Sequence, residues 1–200
     1  MKRSSKHGYS DGHSVELLRS GEQFFKANIE AIDSARNYIH FQTYIVDEDE
    51  TGTKIFDALV RAAERGVRTY LLLDAFGTKY LSGELVNKIE NSGILFRFFS
   101  PVFITKGFQL SLRLHHKVLL VDGELAIIGG LNFANRYHGK PGKKEWLDFA
   151  VSVRGPECIH INTILKRTWN KTFLSKAERS NETVPVVKRY DDNITLRVTE

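Results

Sequence analysis

Three short apolar segments in the first half of the chain alternate with two amphipathic segments that each end at a glycine. The apolar segments are rich in β-branched and aromatic residues, which is typical of buried strands. Gly66 and Gly93 follow the amphipathic segments directly, at the position where a glycine commonly ends a helix. This strand–helix–strand–helix–strand order predicts parallel strands covered by helices. The strand segments are 38–46, 67–73 and 94–99, and the helical segments are 53–65 and 83–91.

The second half of the chain follows a different pattern. Two runs rich in apolar residues are joined by Asp122 and Gly123, a pair that strongly indicates a two-residue β-hairpin turn. A hairpin is antiparallel, so we expect an α/β fold with a mixed β-sheet flanked by helices on both faces. We expect Trp146 and Trp169 to lie in its core. The remaining predicted elements are strands 15–18, 114–121, 124–130 and 147–153 and helices 22–36 and 157–173.

The predicted hairpin brings together polar groups suited to holding an anion. His115 and Lys117 are two residues apart, so they project from the same strand face. A two-residue turn at 122–123 places His115 opposite Gly130 and puts Asn132 on the same face. Because glycine has no side chain, we expect open space in front of His115. A neutral imidazole can attack phosphorus, while the ammonium and amide groups stabilise the charge that develops.

The spacing of these residues resembles the HxKxxxxD motif of the phospholipase D superfamily. The match consists of His115, Lys117 and Asp122, followed by Gly-Gly-Leu-Asn at 129–132. A downstream glycine and asparagine make the motif specific. Segments 68–74, 93–99 and 146–156 also resemble the corresponding parts of bacterial cardiolipin synthases, and the Gly-Gly-Leu-Asn variant favours that branch. The resemblance implies a phospholipase D-like mixed sheet over residues 14–174.

The resemblance also implies a mechanism and a role for each matched residue. In this family one histidine attacks a phosphodiester and forms a phosphohistidine, and a second histidine protonates the leaving alcohol. His115 is then the catalytic histidine of one half-site, and Lys117 and Asn132 bind the phosphate. Asp148 is the best match for a carboxylate that orients the histidine. The resemblance adds Gly129 and Gly130 as lining of the substrate-binding site, and it implies neither a cofactor nor a metal.

Asp122 belongs to the motif, but it lies at the predicted turn and on the other strand face from His115. We therefore expect Asp122 to have a structural role. His116 also points to the opposite face, where a packing or surface role is expected in preference to catalysis. Asp74, at the end of a predicted strand, is interpreted as a loop or cap carboxylate in slight preference to a ligand-binding one. Cys158 is interpreted as a buried apolar residue, and the acidic turn 47–50 as a solvated loop.

The chain carries one motif, whereas a complete site in this family needs two. We expect residues 1–13 to be a flexible N-terminus and 14–174 to be the phospholipase D-like domain. Residues 175–200 are polar at first and then resemble the start of a second half. They are therefore predicted to be a linker and the beginning of that half. The alternative is a symmetric homodimer in which two copies of the chain complete one site.

The expected partners follow from charge and from the resemblance. A net charge of +5 suits an anionic partner, either phospholipid headgroups or nucleic acid. We expect phosphatidyl transfer on phosphatidylglycerol at a membrane surface, by a peripheral protein on the cytoplasmic face of the cell membrane. Segment 102–112 and the basic loop 138–144 are candidate lipid contacts. The alternatives are a nuclease of the same superfamily, with nucleic acid the less favoured partner, and a non-catalytic half-domain.

Overall fold

The computed structural model describes residues 8–100, 112–138, 146–171, 178–184, 188–192 and 194–199, and in that part the strands form one eight-stranded sheet. The strand order is β4-β3-β2-β5-β6-β7-β1-β8. The strands are β1 (Ser10–Arg19), β2 (Tyr38–Thr43), β3 (Arg68–Asp74), β4 (Leu95–Phe99), β5 (Lys117–Val121), β6 (Leu125–Gly129), β7 (Phe149–Arg154) and β8 (Ile194–Leu196). The helices are α1 (Ser20–Ser34), α2 (Glu50–Glu64), α3 (Gly83–Asn91), α4 (Asn135–His138) and α5 (Glu157–Lys171).

The mixed sheet confirms the predicted fold class. Strands β2, β3 and β4 are parallel, and β5 joins them antiparallel to β2. The helices between the parallel strands begin at side-chain caps: the Asp49 carboxylate accepts from Gly52 N at 3.1 Å, and Ser82 Oγ accepts from Leu85 N at 3.1 Å. The acidic turn at 47–50 is therefore not only a solvated loop, because Asp49 starts α2 three residues earlier than predicted.

Two apolar layers cover the two faces of the sheet. Leu119 and Val121 of β5 pack into the larger core with helices α1, α2 and α3, whereas Leu120 packs with α5 on the other face. This alternation confirms helices on both faces and places Lys117 on the α1 side. Trp169 is buried as expected, but the prediction for Trp146 is wrong, because 54% of its surface is exposed.

The turn between β5 and β6 is longer than predicted, and this corrects the register of the hairpin. Glu124 N donates to Val121 O at 3.0 Å, as in a two-residue turn, but the ladder pairs Val121 with Leu125. Glu124 is therefore an extra residue. Asp122 and Gly123 both have positive φ, 53° and 69°, which asparagine, aspartate and glycine tolerate better than other residues. The one-residue offset removes Gly130 from the position expected opposite His115.

Asp122 is held in this turn by the chain that precedes β2. Its carboxylate accepts hydrogen bonds from the backbone N–H groups of Arg36, Asn37 and Tyr38 at 2.9, 2.7 and 2.9 Å. The side chain thus ties the hairpin turn to the start of the neighbouring strand. These three bonds account for an aspartate at this position of the motif without any contact with substrate.

We expect Asp122→Ala to lower the free energy of unfolding by about 1–3 kcal/mol, because three N–H groups lose their acceptor. Alanine also tolerates positive φ less well than aspartate. Urea denaturation at neutral pH measures the change. The matched control is Asp122→Asn, which keeps one acceptor oxygen and should lose less. An unchanged denaturation midpoint for Asp122→Ala would contradict the structural role.

Residues 178–184 were predicted to belong to a linker, but the structure packs them against the sheet and α5. Ser180 is fully buried, and its hydroxyl lies 3.0 Å from His40 Nε2. The Glu182 carboxylate accepts from Tyr70 OH at 2.9 Å. A free linker would leave these groups in water, so this part of the chain is a component of the folded domain.

Both ends of the described chain meet in the sheet. Strand β8 pairs antiparallel with β1, with Ser10 opposite Leu196 and His13 opposite Ile194. Of the predicted flexible N-terminus 1–13, residues 10–13 therefore belong to β1. Of the residues expected to open a second half, Ile194–Leu196 form a strand of this same sheet. Among the described residues, no helix is both long enough and apolar enough to cross a membrane.

Candidate functional site

The structure brings His115 and Lys117 together where β5 begins. Lys117 Nζ lies 3.3 Å from His115 Nε2 and 3.4 Å from Nδ1, and it donates to His115 O at 3.2 Å. Lys117 is only 5% exposed, whereas His115 is exposed. The imidazole is thus accessible from outside, with a cation buried directly behind it. The predicted pairing of these two side chains is confirmed, although the strand begins at Lys117 and not at residue 114.

Asp74 fixes the backbone just before His115. Its fully buried carboxylate accepts from Leu114 N at 2.8 Å through Oδ2. The other oxygen, Oδ1, accepts from Phe76 N at 2.9 Å and from Gly77 N at 3.0 Å. The interpretation of Asp74 as a loop carboxylate is therefore confirmed. Its hydrogen bonds join the end of β3 to the segment that presents the imidazole.

Asp148 occupies the space that Gly130 leaves free. A Cβ atom added at Gly130 would lie 2.7 Å from Asp148 Oδ2 and 3.0 Å from Oδ1. The absent side chain therefore accommodates a carboxylate, so Gly130 does not provide the open space that was expected from it. Gly129 has a different role, since an added Cβ would lie 2.6 Å from Ala150 Cβ on the neighbouring strand.

Asp148 was expected to orient His115, but its hydrogen bond in the structure has another partner. In the part of the chain that is described, Asp148 Oδ1 accepts from Phe149 N at 2.7 Å, and no hydrogen bond joins it to His115. Its electrostatic partner is Lys117. Burial lowers the pKa of the Lys117 ammonium, and the negative charge of Asp148 acts in the opposite direction and raises it. Asp148 thus favours the charged form of the lysine.

Asn132 lies at the end of β6 with its amide buried. Its Nδ2 donates to Tyr137 OH at 3.1 Å, while Oδ1 is buried and has no hydrogen-bond partner. A hydroxyl can donate as well as accept, so the amide rotated by 180° would satisfy Oδ1 and free an N–H group for an anion. Asn132 makes no hydrogen bond with His115 or Lys117 among the described residues, so the structure does not join it directly to that pair.

Sequence reasoning missed Tyr44. The centroid of its ring lies 5.4 Å from that of His115, and Lys117 Nζ lies 5.5 Å from the Tyr44 ring centroid. Tyr44 follows β2, which pairs with β5 in the sheet. Its aromatic ring at the end of an apolar run was visible in the sequence, but the pairing of two strands so far apart in the chain was not. Tyr137, the partner of Asn132, was missed for the same reason.

Two other side chains that could in principle act as nucleophiles, His116 and Cys158, lie away from the proposed chemistry, as expected. His116 faces α5, where Nδ1 lies 3.1 Å from Gln42 Oε1, and burial together with the nearby Lys117 and His115 lowers its pKa. Cys158 is fully buried, and burial raises the pKa of its thiol to about 12. A buried thiol with such a pKa is not a nucleophile at neutral pH.

The two predicted lipid-contact segments lie almost wholly outside the described residues. Of segment 102–112 the structure describes only Leu112, and of loop 138–144 only His138. Leu112 is 81% exposed, whereas the His138 ring stacks on Phe25 with a centroid distance of 5.0 Å. The expectation that these segments contact lipid therefore stays a prediction.

Comparisons with known proteins agree with this geometry. Residues 28–169 match the family described as "Cardiolipin synthase, PLD-like domain". Cardiolipin synthase B of Salmonella typhimurium is 36% identical over 153 residues, covering 76% of this chain and 37% of that protein. Cardiolipin synthase B of Escherichia coli K12 is 30% identical over 200 residues, covering 94% of this chain and 48% of that protein. The chain therefore spans less than half the length of these relatives.

A solved structure gives independent support for the fold. The crystal structure of Nuc, a phospholipase D family member from Salmonella typhimurium, superposes with a TM-score of 0.62. The alignment covers 84% of this chain and 99% of that one at 24% sequence identity. At this level of identity the likeness concerns the fold alone.

Proposed function

Since the chain belongs to the cardiolipin synthase-type family of phospholipase D-like domains, we propose that it supplies one half of a site for phosphatidyl transfer between phospholipids. The observation that carries the proposal is the exposed imidazole of His115 backed by the buried ammonium of Lys117. The identity of 30–36% with cardiolipin synthases supports phospholipid as the substrate class.

The proposed chemistry has two steps. A ring nitrogen of His115 attacks phosphorus, and the bond from phosphorus to the leaving alcohol breaks. That alcohol takes a proton from the histidine of the second half, and a phosphohistidine remains. A hydroxyl of the second lipid then attacks phosphorus, its proton passes to the second histidine, and the bond to His115 breaks. Lys117 and the rotated amide of Asn132 stabilise the negative charge on the pentavalent phosphorus.

The second half-site is part of the proposal. Either a second half follows in the same polypeptide, or two copies of this chain meet as a homodimer. The proposed substrate is phosphatidylglycerol, presented at the surface of a membrane to a peripheral protein on its cytoplasmic face. The net charge of +5 supports an anionic surface as the partner.

Hydrolysis of nucleic-acid phosphodiesters is the second candidate, because the same histidine chemistry would serve it. The positive charge suits it equally well. Identity with cardiolipin synthases over most of the chain favours lipid. A non-catalytic half-domain is the third candidate, and it would bind lipid without turning it over.

The test is the molar mass of the purified chain by light scattering, combined with turnover of phosphatidylglycerol vesicles by the same sample. An active dimer is the expected result if two copies of His115 complete one site. An inactive monomer that becomes active when a second phospholipase D-like half is supplied would favour a site built from two different halves over a homodimer. Cleavage of single-stranded DNA without lipid turnover would contradict the phosphatidyl-transfer proposal.

We expect Asp148→Asn to move the alkaline limb of the pH–rate profile to lower pH. The reaction needs charged Lys117, and Asp148 raises the pKa of that ammonium against the effect of burial. Without the carboxylate, the pKa of Lys117 falls further and the cation is lost at a lower pH. The matched control is Asp57→Asn, whose carboxylate pairs with Lys88 between two helices. An alkaline limb that stays in place for Asp148→Asn would contradict this coupling.

A further inference from the structure

A cavity of about 450 Å³ lies near the His115–Lys117 pair, although neither of these residues lines it. Tyr44 forms part of its wall, and the same ring lies 5.4 Å from the His115 ring. Tyr44 is therefore the residue shared by the cavity and the surroundings of the proposed nucleophile. Its volume lies within the range of roughly 300–1,000 Å³ that is usual for small-molecule sites. No step of the proposed chemistry involves this cavity.

Aromatic side chains in the connection between β3 and α3 line the cavity and are left exposed. Phe76 is 44% exposed and Tyr80 is 82% exposed. Lys79 Nζ lies 4.8 Å from the Phe76 ring centroid and 4.7 Å from that of Tyr80. A cation–π contact holds the ammonium through its charge and leaves its N–H donors available. Arg113 also lies over the Phe76 ring, with its Cζ 4.8 Å from the centroid, so the connection presents mainly the Tyr80 ring and the Lys79 donors to a ligand.

The polar part of the lining is balanced in charge. Asp47 and Glu48 supply two carboxylates, and Lys79 and Arg136 supply two cations. Asp47 pairs with Arg136, and Glu48 accepts from Ser82 N at 2.7 Å and from Ser82 Oγ at 2.9 Å. These bonds fix the carboxylates in place. An ionised carboxylate has about four lone-pair sites, so acceptor capacity remains.

A lining that combines aromatic rings with equal numbers of carboxylates and cations favours some classes of ligand over others. An apolar chain would desolvate four charges without replacing their hydrogen bonds, which is costly. A second anion would face two carboxylates. A neutral polyol avoids both penalties, because each hydroxyl donates to a carboxylate and accepts from a cation, while its C–H groups lie against the aromatic rings.

We propose that this cavity is a subsite for a glycerol-type headgroup, a neutral vicinal diol attached to the phosphate that lies at His115. The inference rests on the proposed function and deepens it, since it assigns a place to the alcohol part of the phosphodiester. Phe76, Lys79 and Tyr80 determine the preference for a polyol. Lys117 and His115 act on the phosphate irrespective of the alcohol.

The test is an NMR titration of the 200-residue chain with two water-soluble phosphodiesters. Glycerophosphoglycerol carries the diol, and dimethyl phosphate carries only the phosphodiester. We expect Tyr80→Ala to weaken the binding of glycerophosphoglycerol about three- to tenfold and to leave that of dimethyl phosphate unchanged. The matched control is Tyr9→Ala, which removes another exposed tyrosine with a cation–π partner, Arg197 at 4.8 Å.

The outcomes separate the subsite from the proposed function. Failure of the wild-type chain to bind glycerophosphoglycerol more tightly than dimethyl phosphate would overturn the subsite, as would equal weakening of both ligands by Tyr80→Ala. Lys117→Met should weaken both ligands. If it weakens neither while Tyr80→Ala acts as expected, the subsite stands and the phosphate role of Lys117 fails. A parallel titration with free glycerol shows whether the cavity binds a free polyol or needs a diol that is linked to phosphate.

Discussion

His115→Ala is expected to abolish phosphatidyl transfer in any assembly that is active with the unchanged chain. Without the imidazole no phosphohistidine forms, and removal of a nucleophile of this kind costs on the order of 10⁵–10⁶ in rate. The side chain is exposed, so its loss leaves no cavity in the core. Release of glycerol from phosphatidylglycerol vesicles measures the rate.

Two controls separate lost chemistry from lost structure or binding. His116→Gln changes the neighbouring histidine, which faces α5 and contacts Gln42, and should retain most of the activity. Titration of His115→Ala with vesicles should show binding close to that of the unchanged chain. Retained turnover by His115→Ala would remove the residue from the mechanism, and equal losses in both histidine variants would indicate damage to the hairpin instead.

The sequence was sufficient for the features that depend on local pattern. The alternation of strands and helices between residues 38 and 99 was predicted with small errors at the ends, because apolar periodicity and glycine terminators act within each segment. The proximity of His115 and Lys117 followed from the two-residue repeat of a strand, even though His115 lies just outside β5.

Features that depend on pairing between distant segments were missed or wrong. The hairpin register was displaced by one residue, because the left-handed conformation of Asp122 is held by backbone groups at 36–38, more than 80 positions away. Residues 178–184 have a polar, linker-like composition, yet Ser180 is buried against His40. Nothing within either segment indicates those contacts.

The role of Gly130 shows how a correct residue can be chosen for an incorrect reason. The motif indicated a glycine near the histidine, and the expected reason was open space for substrate. The structure places the Asp148 carboxylate there, at a distance that excludes a side chain on residue 130. The same carboxylate acts on the charge of Lys117 and forms no hydrogen bond with His115 in the described part of the chain. The Asp148 carboxylate thus has two effects: it excludes a side chain at position 130, and it favours the charged form of Lys117.

Lys117→Ala is expected to reduce the rate of transfer by roughly 10²–10³, by analogy with the loss of one preorganised donor to a developing oxyanion. The ammonium lies 3.3 Å from the imidazole, close to where charge accumulates on phosphorus. It is only 5% exposed, so water replaces it poorly. Single-turnover rates with phosphatidylglycerol measure the loss, and an unchanged rate would remove Lys117 from the site.

The stability of the variants distinguishes a catalytic cation from a structural one. Burial lowers the pKa of Lys117, which means that the fold disfavours the charge it holds. Lys117→Met keeps the volume of the stem and removes that charge, so its free energy of unfolding should be unchanged or higher. Its transfer rate should nevertheless fall as far as that of Lys117→Ala. A methionine variant that unfolds more easily and loses rate in proportion would show that Lys117 acts through the fold and not on the phosphate.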